Sequence, residues 1–371
     1  MRKIYFNATI LNDKPTGLGV YTINILKILD ELNVIDTVIF NNKKEEERYS
    51  DILKNCKITS IQNEHRKMVP FFRNYLLNKF AKDNIREQDL FYSPTQHGIK
   101  IKRVKQIITI HDLIPLYYPR GRIHQYLYYK LMLPKVIKQS SILVTDSHNT
   151  KKDLMNKYNI DSSKIEVIYV GFNSPSYVNK DRSVAYIYDK YKLKDYILMV
   201  GVNYRYKNLH KVIEIYSKHY EEIGVPLVIA GNCDNKYGKE LKKMVENLNM
   251  QNNISFLGYL SDIEKDIVYQ AASVFIYPSL YEGFGIPPLE AMANGTHVIC
   301  SNTSSLPEVV DNAALQVDPK NEEEILRAIK KMININEKDS DMYLEMEHEN
   351  LKRFGWDKTV NSILSIINKK M

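Results

Sequence analysis

The sequence predicts an α/β protein made of two doubly wound units, each a parallel sheet with helices on both faces. Three observations carry this. Short apolar runs of strand length alternate with longer segments of helical periodicity, the pattern of a parallel sheet. The alternation breaks once, at the Pro- and Gly-punctuated polar stretch GFNSPSYVNKDR over residues 171–182, and then restarts. A length of 371 residues suits two cores of ordinary domain size. We expect a first unit over 1–175, a second over 176–355 and a closing helix from Trp356 over 356–371.

In the first half, strands are expected at 4–10, 37–40, 57–61, 89–92, 106–110, 142–145 and 165–169, with helical segments between most of them. The first strand leads into Pro15-Thr16-Gly17-Leu18-Gly19. A helix follows, with apolar positions Val20, Ile23, Leu26, Ile28 and Leu29 at helical spacing. Strand, glycine loop and helix together have the shape of a phosphate-binding element. A dinucleotide fingerprint is the alternative, but Thr22 occupies the place of its third glycine.

His111 directly follows the strand at 106–110, where ligands of parallel sheets bind, although a lone histidine at a strand end is also a common structural device. Basic and aromatic residues then interleave across 117–138, among them Arg120, Arg122, Tyr126, Tyr128, Tyr129 and Lys130. Such a segment suits an anionic membrane surface or a lipid diphosphate; the alternative is an amphipathic helix with a solvated basic face. Thr145-Asp146-Ser147 reads as a strand end and helix cap.

The second half restarts with strands at 196–200, 228–231, 253–256, 274–277, 298–300 and 315–319. After the first of these comes Gly201-Val202-Asn203-Tyr204-Arg205-Tyr206-Lys207-Asn208-Leu209, a loop whose cations suit a phosphate or a solvated surface. The segment 281–310, YEGFGIPPLEAMANGTHVICSNTSSLPEVV, organises the rest. Glu282 and Glu290 stand with seven residues between them, and Gly283-Phe284-Gly285-Ile286-Pro287-Pro288 forbids one continuous helix across that interval. Glu282 is therefore expected on a loop and Glu290 in the first turn of a helix whose N-terminus favours an anion such as a diphosphate. Read singly, Glu290 only complements a helix dipole, Glu282 is a solvated carboxylate and Phe284 packs in the core.

Composition bounds the function. Apolar residues make up 44% and charged residues 26%, a globular balance. The net charge of +8 raises nucleic acid or anionic lipid as partners, but abundant Lys, Asn, Ile and Tyr together also point to an AT-rich genome. Cys56, Cys233 and Cys300 are far apart and form no metal spacing or disulfide framework, as in a reducing cytoplasm. Arg2 and Lys3 precede an apolar run broken by Asn7, Asn12 and Asp13, too short for a signal peptide. No run approaches bilayer length.

Taken jointly, Glu282 to Glu290, the following PPLEAMANGTHVI and SNTSSLPEVV, the element His111-Asp112-Leu113-Ile114-Pro115, the Ser147, Thr150, Asp153, Leu154 pattern and Lys207-Asn208-Leu209 resemble the retaining GT-B glycosyltransferases of family 4, in particular their mannosyltransferase-type members. The resemblance implies two Rossmann-like domains facing across a cleft, with the last helix crossing back onto the first. It implies that Glu282 holds sugar hydroxyls near the reacting carbon, Glu290 binds the nucleotide ribose, and His111 contacts the transferred sugar. Arg205 and Lys207 would neutralise the leaving diphosphate, although Arg205 departs from the usual position. Gly283, Phe284, Gly285 and Ile286 would border the donor, Gly17 and Gly19 would approach it or the acceptor, and the backbone near Tyr259 would receive the base. Transfer is expected without a metal or other cofactor: the single Asp-x-Asp, Asp339-Ser340-Asp341, reads as a helix start.

The expected donor is GDP-mannose, with UDP-hexoses and dTDP-rhamnose as rivals. The expected acceptor is a glycan or polyprenyl-diphosphate-linked sugar of bacterial O-antigen or capsule synthesis, at the cytoplasmic face of the plasma membrane, with no nucleic-acid partner. A nucleotide-sugar 2-epimerase and a non-catalytic sugar-nucleotide binder remain alternatives, and a dehydrogenase is disfavoured by the broken glycine fingerprint.

Overall fold

The computed structural model describes residues 2–13, 15, 17–63, 69–176 and 179–369, so Thr16 and residues 370–371 lie outside the described residues. The chain divides into Met1–Gly171 with Gly355–Met371, and Phe172–Phe354.

The first unit holds β1 (Ile4–Asn7), β2 (Thr37–Phe40), β3 (Lys57–Ser60), β4 (Leu90–Ser93), β5 (Lys105–Ile110), β6 (Ile142–Thr145) and β7 (Ile165–Val167). They form one parallel sheet in the order β3-β2-β1-β4-β5-β6-β7. Strands such as β6 (ILVT) are buried along their whole length, as expected of strands covered on both faces. The chain winds outward one way from β1 and the other way from β4, so the strand order reverses between these two, and a crevice forms at such a reversal.

β1 stops at Asn7 rather than at residue 10. The buried Asn7 amide donates to Ser93 Oγ (3.0 Å) and His97 O (2.6 Å), while its Oδ1 accepts from Thr9 N and Oγ1. Those bonds turn the backbone out of the ladder. The helix Leu18–Glu31 buries Tyr21, Thr22, Ile25, Leu26 and Leu29, so the inward stripe is set partly off the one expected; Val20, Ile23 and Ile28 are only half-buried. The basic aromatic segment is three short helices, Ile114–Tyr117, Ile123–Leu131 and Leu133–Gln139, the last of which starts with Pro134 in its first turn.

The helix Trp356–Lys369 belongs to this first unit. Thr359 Oγ1 donates to Tyr169 O (2.8 Å), and Trp356 meets Tyr21 edge to face at 5.9 Å. A Cβ on Gly171 would lie 2.5 Å from the Trp356 nitrogen, so that contact requires glycine.

The second unit holds β8 (Ile197–Val200), β9 (Leu227–Ala230), β10 (Ile254–Gly258), β11 (Val274–Tyr277), β12 (Val298–Ser301) and β13 (Leu315–Val317), parallel in the order β10-β9-β8-β11-β12-β13. Here the order reverses between β8 and β11. Its core joins Ile197, Met199, Ile229, Ile276 and Ile299 of the sheet to Val212, Ile213 and Ile329 of the helices. The polar stretch after Gly171 is tied to the helix Asp262–Gln270: Ser176 N and Oγ donate to Asp266 Oδ2, and Asn179 N donates to Gln270 Oε1.

Candidate active site

The loops leaving β8 and β11 flank the reversal of the second sheet, and they bring Lys207 and Glu282 together. Lys207 closes the short turn Arg205–Lys207. Asn208 then takes φ +62° and anchors its side chain on Pro319 O (2.9 Å), which launches the helix Leu209–Ile223. The loop after β11 is stitched to this turn by Leu280 N, which donates to Tyr206 O (2.8 Å). Lys207 Nζ lies 2.8 Å from Glu282 Oε1 and donates to Tyr277 Oη at 2.6 Å, and it also sits over the Tyr277 ring. Burial first, then the Glu282 charge, holds the Tyr277 hydroxyl well above its ordinary pKa, so it remains a neutral phenol beside the ammonium.

Two serines clamp the acidic loop. Ser304 Oγ accepts from Glu282 N (2.9 Å), and Ser305 Oγ donates to Glu282 O (3.1 Å) and Phe284 O (2.7 Å). Phe284 is buried edge-on against Phe354 at 5.6 Å, so its side chain is core. Gly285 takes φ +114°, and a Cβ there would come 2.5 Å from Leu306 Cδ2. Only glycine fits both the turn and the packing.

The helix that follows is Ile286–Ala293, with Ile286 as its first residue and prolines in its first turn. Glu290 is therefore not in the first turn, as expected from sequence, but further along: Pro287 and Pro288 need no amide partner there, and the helix begins before them rather than after. Glu290 is held by Lys265 Nζ (2.7 Å) and by Tyr269 Oη (3.4 Å). Burial pulls the Lys265 pKa down, and Glu290 more than offsets it, leaving the ammonium raised.

Other expected residues lie apart from this pair. Arg205 does not join Lys207: its side chain is 60% exposed and pairs with Glu240 at 3.3 Å. Tyr259 is 82% exposed, so it does not pack, and only its backbone remains as a feature of that loop. Gly283 lies between Glu282 and Phe284 on the clamped loop. In the first unit, Gly17 caps the helix Leu18–Glu31 at φ +45°, and Gly19 leaves no room for a Cβ, which would come 2.8 Å from Pro15 Cβ. Ser147 is a buried cap whose Oγ accepts from Thr150 N (3.1 Å).

His111 is buried with both ring nitrogens engaged. Nδ1 lies 2.5 Å from Asp146 Oδ2 and Nε2 lies 2.9 Å from Pro94 O. A carbonyl only accepts, so Nε2 carries a proton, and the carboxylate favours a second on Nδ1. Burial opposes that charge, but Asp146 and Pro94 outweigh it and the pKa is raised. A sugar contact through His111 would require one of these bonds to open.

Sequence reasoning did not assign roles to Asp146, Tyr277, Lys265, Tyr269, Ser304 or Ser305. The only advance signal was that Asp146 and the two serines sit inside quoted motifs.

Chemically, the second unit presents an ammonium and a carboxylate in contact, one short loop from a helix N-terminus. That set can meet phosphate charge and sugar hydroxyls together. Residues 15–174 match the family described as Glycosyltransferase Family 4, and residues 186–347 match Glycosyl transferases group 1. The chain is 32% identical over 340 residues to the O-antigen chain mannosyltransferase RfbU of Salmonella typhimurium, covering 87% of this chain and 89% of that one. It is 26% identical to the O-antigen chain mannosyltransferase B of Escherichia coli, over 85% and 87% of the two chains. Among solved structures, Anabaena HepE in complex with UDP and glucose superposes with a TM-score of 0.76 at 18% identity, over 99% of both chains. Fold, site and kinship agree: this chain belongs to the family 4 glycosyltransferases and carries their GT-B fold.

Proposed function

We propose that this enzyme is a retaining mannosyltransferase of bacterial O-antigen synthesis, moving mannose from GDP-mannose to a polyprenyl-diphosphate-linked glycan at the cytoplasmic face of the membrane. The contact of Lys207 with Glu282 at the reversal of the second sheet carries the reading. As the bond from the anomeric carbon to the diphosphate oxygen breaks, that oxygen gains negative charge. In this reading Lys207 and the N–H groups of the loop before Ile286–Ala293 stabilise it without a metal, since Pro287 and Pro288 in the first turn of that helix have no N–H to offer. Glu282 orients the sugar and Glu290 the ribose, and the acceptor hydroxyl oxygen bonds to the anomeric carbon while its proton passes to the departing diphosphate oxygen. Likeness to the two O-antigen chain mannosyltransferases supports the donor sugar and the acceptor class. Among the described residues no helix is long and apolar enough to cross a membrane, so membrane contact would be peripheral, through the segment 117–138.

One observation favours a second donor. HepE was solved with UDP and glucose, which supports a UDP-hexose. A thermal-shift series separates the two, since a ligand at about 100 times its Kd stabilises by about 2.7 kcal/mol. GDP-mannose is expected to stabilise the protein in the presence of a chelator and to be consumed only with acceptor. Stabilisation by UDP-hexoses alone would overturn the choice of donor, and consumption without acceptor would indicate an epimerase.

A further inference from the structure

One charged cluster in the first unit is left unexplained by the site above. Arg73, on the helix Val69–Asn84, is only 8% exposed, and among the described residues it pairs with no carboxylate. Its Nε is enclosed without an acceptor. Near it stands His97, preceded in the chain by Gln96; both are buried, and His97 Nδ1 and Gln96 Oε1 likewise have no hydrogen-bond partner. Tyr128 frames the cluster: its hydroxyl donates to Gln96 O (3.0 Å) and its ring lies 5.0 Å from His97. Burial lowers the Arg73 pKa to about 10, so the guanidinium is still charged at neutral pH. Burial and then Arg73 hold His97 neutral.

A buried cation without a counter-charge is costly, and a guanidinium, planar with a fork of donors, matches phosphate oxygens two at a time. Place and surroundings narrow the choice of anion. Gln96 and His97 lie on the loop leaving β4, whose Pro94 carbonyl holds His111 and whose His97 carbonyl is held by Asn7 at the end of β1. The cluster therefore stands at the strand reversal of the first sheet, where ligands of such sheets bind. On the same helix Phe72 and Tyr75 are exposed, an aromatic surface beside the charge.

We propose that Arg73, with His97, receives the diphosphate of a lipid-linked acceptor. His97 gains a proton as the anion binds. This rests on the acceptor class proposed above, and the test keeps the two apart.

Transfer is measured for the wild type, Arg73→Gln and Arg73→Lys, with the polyprenyl-diphosphate-linked glycan and with the same glycan as a phosphate-free methyl glycoside. Arg73→Gln is expected to raise the KM for the lipid-linked acceptor about tenfold or more, leave the donor KM unchanged and spare the methyl glycoside, with partial recovery in Arg73→Lys. Equal losses with both acceptors, or none with either, would overturn the proposal. Independently of turnover, the His97 ring is titrated by NMR in the wild-type protein with inorganic pyrophosphate and with a short-chain polyprenyl diphosphate. An upward shift of the His97 titration, stronger with the lipid diphosphate, is expected; no shift with either overturns the site, and equal affinity overturns its assignment to the acceptor. Should no sugar nucleotide support transfer, the function above fails while this titration still decides the site. It also decides if Arg73→Gln does not fold.

Discussion

Replacing Lys207 by Met keeps the stem and removes the charge, and it separates two roles that the geometry superimposes. Lys207 and Glu282 are in contact at 2.8 Å, with side chains 16% and 9% exposed. At an effective dielectric of about 20 the gross attraction is about 6 kcal/mol, most of it offset by the desolvation of both groups. Removing one partner of a buried pair typically costs about 3–5 kcal/mol. Residual solvent access and the Ser304 and Ser305 bonds that still hold the loop place this case at about 2–3 kcal/mol. For a unit of this size that lowers Tm by about 5–10 °C. Adding Glu282→Gln removes the orphaned charge, so the double variant is expected to return to within about 1 kcal/mol of wild type. Activity should not follow. Losing a cation aimed at developing leaving-group charge costs about 10²–10³ in kcat, and the double variant also lacks the carboxylate. Urea denaturation gives the stabilities and steady-state transfer from GDP-mannose gives the rates. Wild-type kcat in Lys207→Met, or activity regained together with stability in the double variant, would refute a leaving-group role and reduce the ammonium to a counter-ion for Glu282.

Three further expectations are independent of that one. Gly285→Ala should cost about 1–3 kcal/mol, because φ is +114° and the new Cβ meets Leu306 Cδ2 at 2.5 Å; calorimetry reads the stability, and a Tm within 1 °C of wild type would show that the loop relaxes freely. His111 has a raised pKa, so the stability it contributes is fully present below about pH 6.5 and is lost as pH rises through the folded value. Trp356, the only tryptophan, lies in the first unit edge-on to Tyr21, which in turn packs on His111 at 4.6 Å, so its fluorescence reports denaturation of that unit. The expected decline between pH 6 and 9 should flatten in Asp146→Asn, and a flat wild-type profile would sink the imidazolium assignment. Arg205→Ala should change stability by less than about 1 kcal/mol, since its pair with Glu240 is exposed, and should lower kcat/KM far less than Lys207→Met; an equal loss would return Arg205 to the reacting centre.

The α/β alternation was legible because the central strands of both sheets are apolar runs that stand out between helices, while the edge strand β3 (KITS) is polar at three of four positions. The runs at 37–40, 142–145 and 274–277 coincide with β2, β6 and β11. Boundaries were lost where a polar side chain overrides the apolar pattern. Asn7 ends β1 early through bonds to Ser93 and His97, partners some ninety residues away that no local window contains. The stripe of Leu18–Glu31 was partly misplaced for a related reason: Tyr21 and Thr22 turn inward, toward His111 and the core, where an apolar count looks for Ile23 and Ile28.

The site was legible in its members and not in its connections. Glu282 and Lys207 are separated by 75 positions, and alternation alone leaves open which strands are neighbours. The contact exists because β11 pairs with β8 in the register Val274↔Ile197 and Phe275↔Leu198, which sets Tyr277 level with Val200 and puts the two loops at one crest. Tyr277 illustrates the dependence. It ends a strand buried throughout and reads as core, yet its hydroxyl receives Lys207 because the pleat turns this side chain toward the loop. A slip of one residue between β8 and β11 would carry Tyr277 to the opposite face and leave the ammonium with Glu282 alone. Strand order and register, more than any residue in the motif, turn a carboxylate and a lysine distant in sequence into a pair able to act on one substrate.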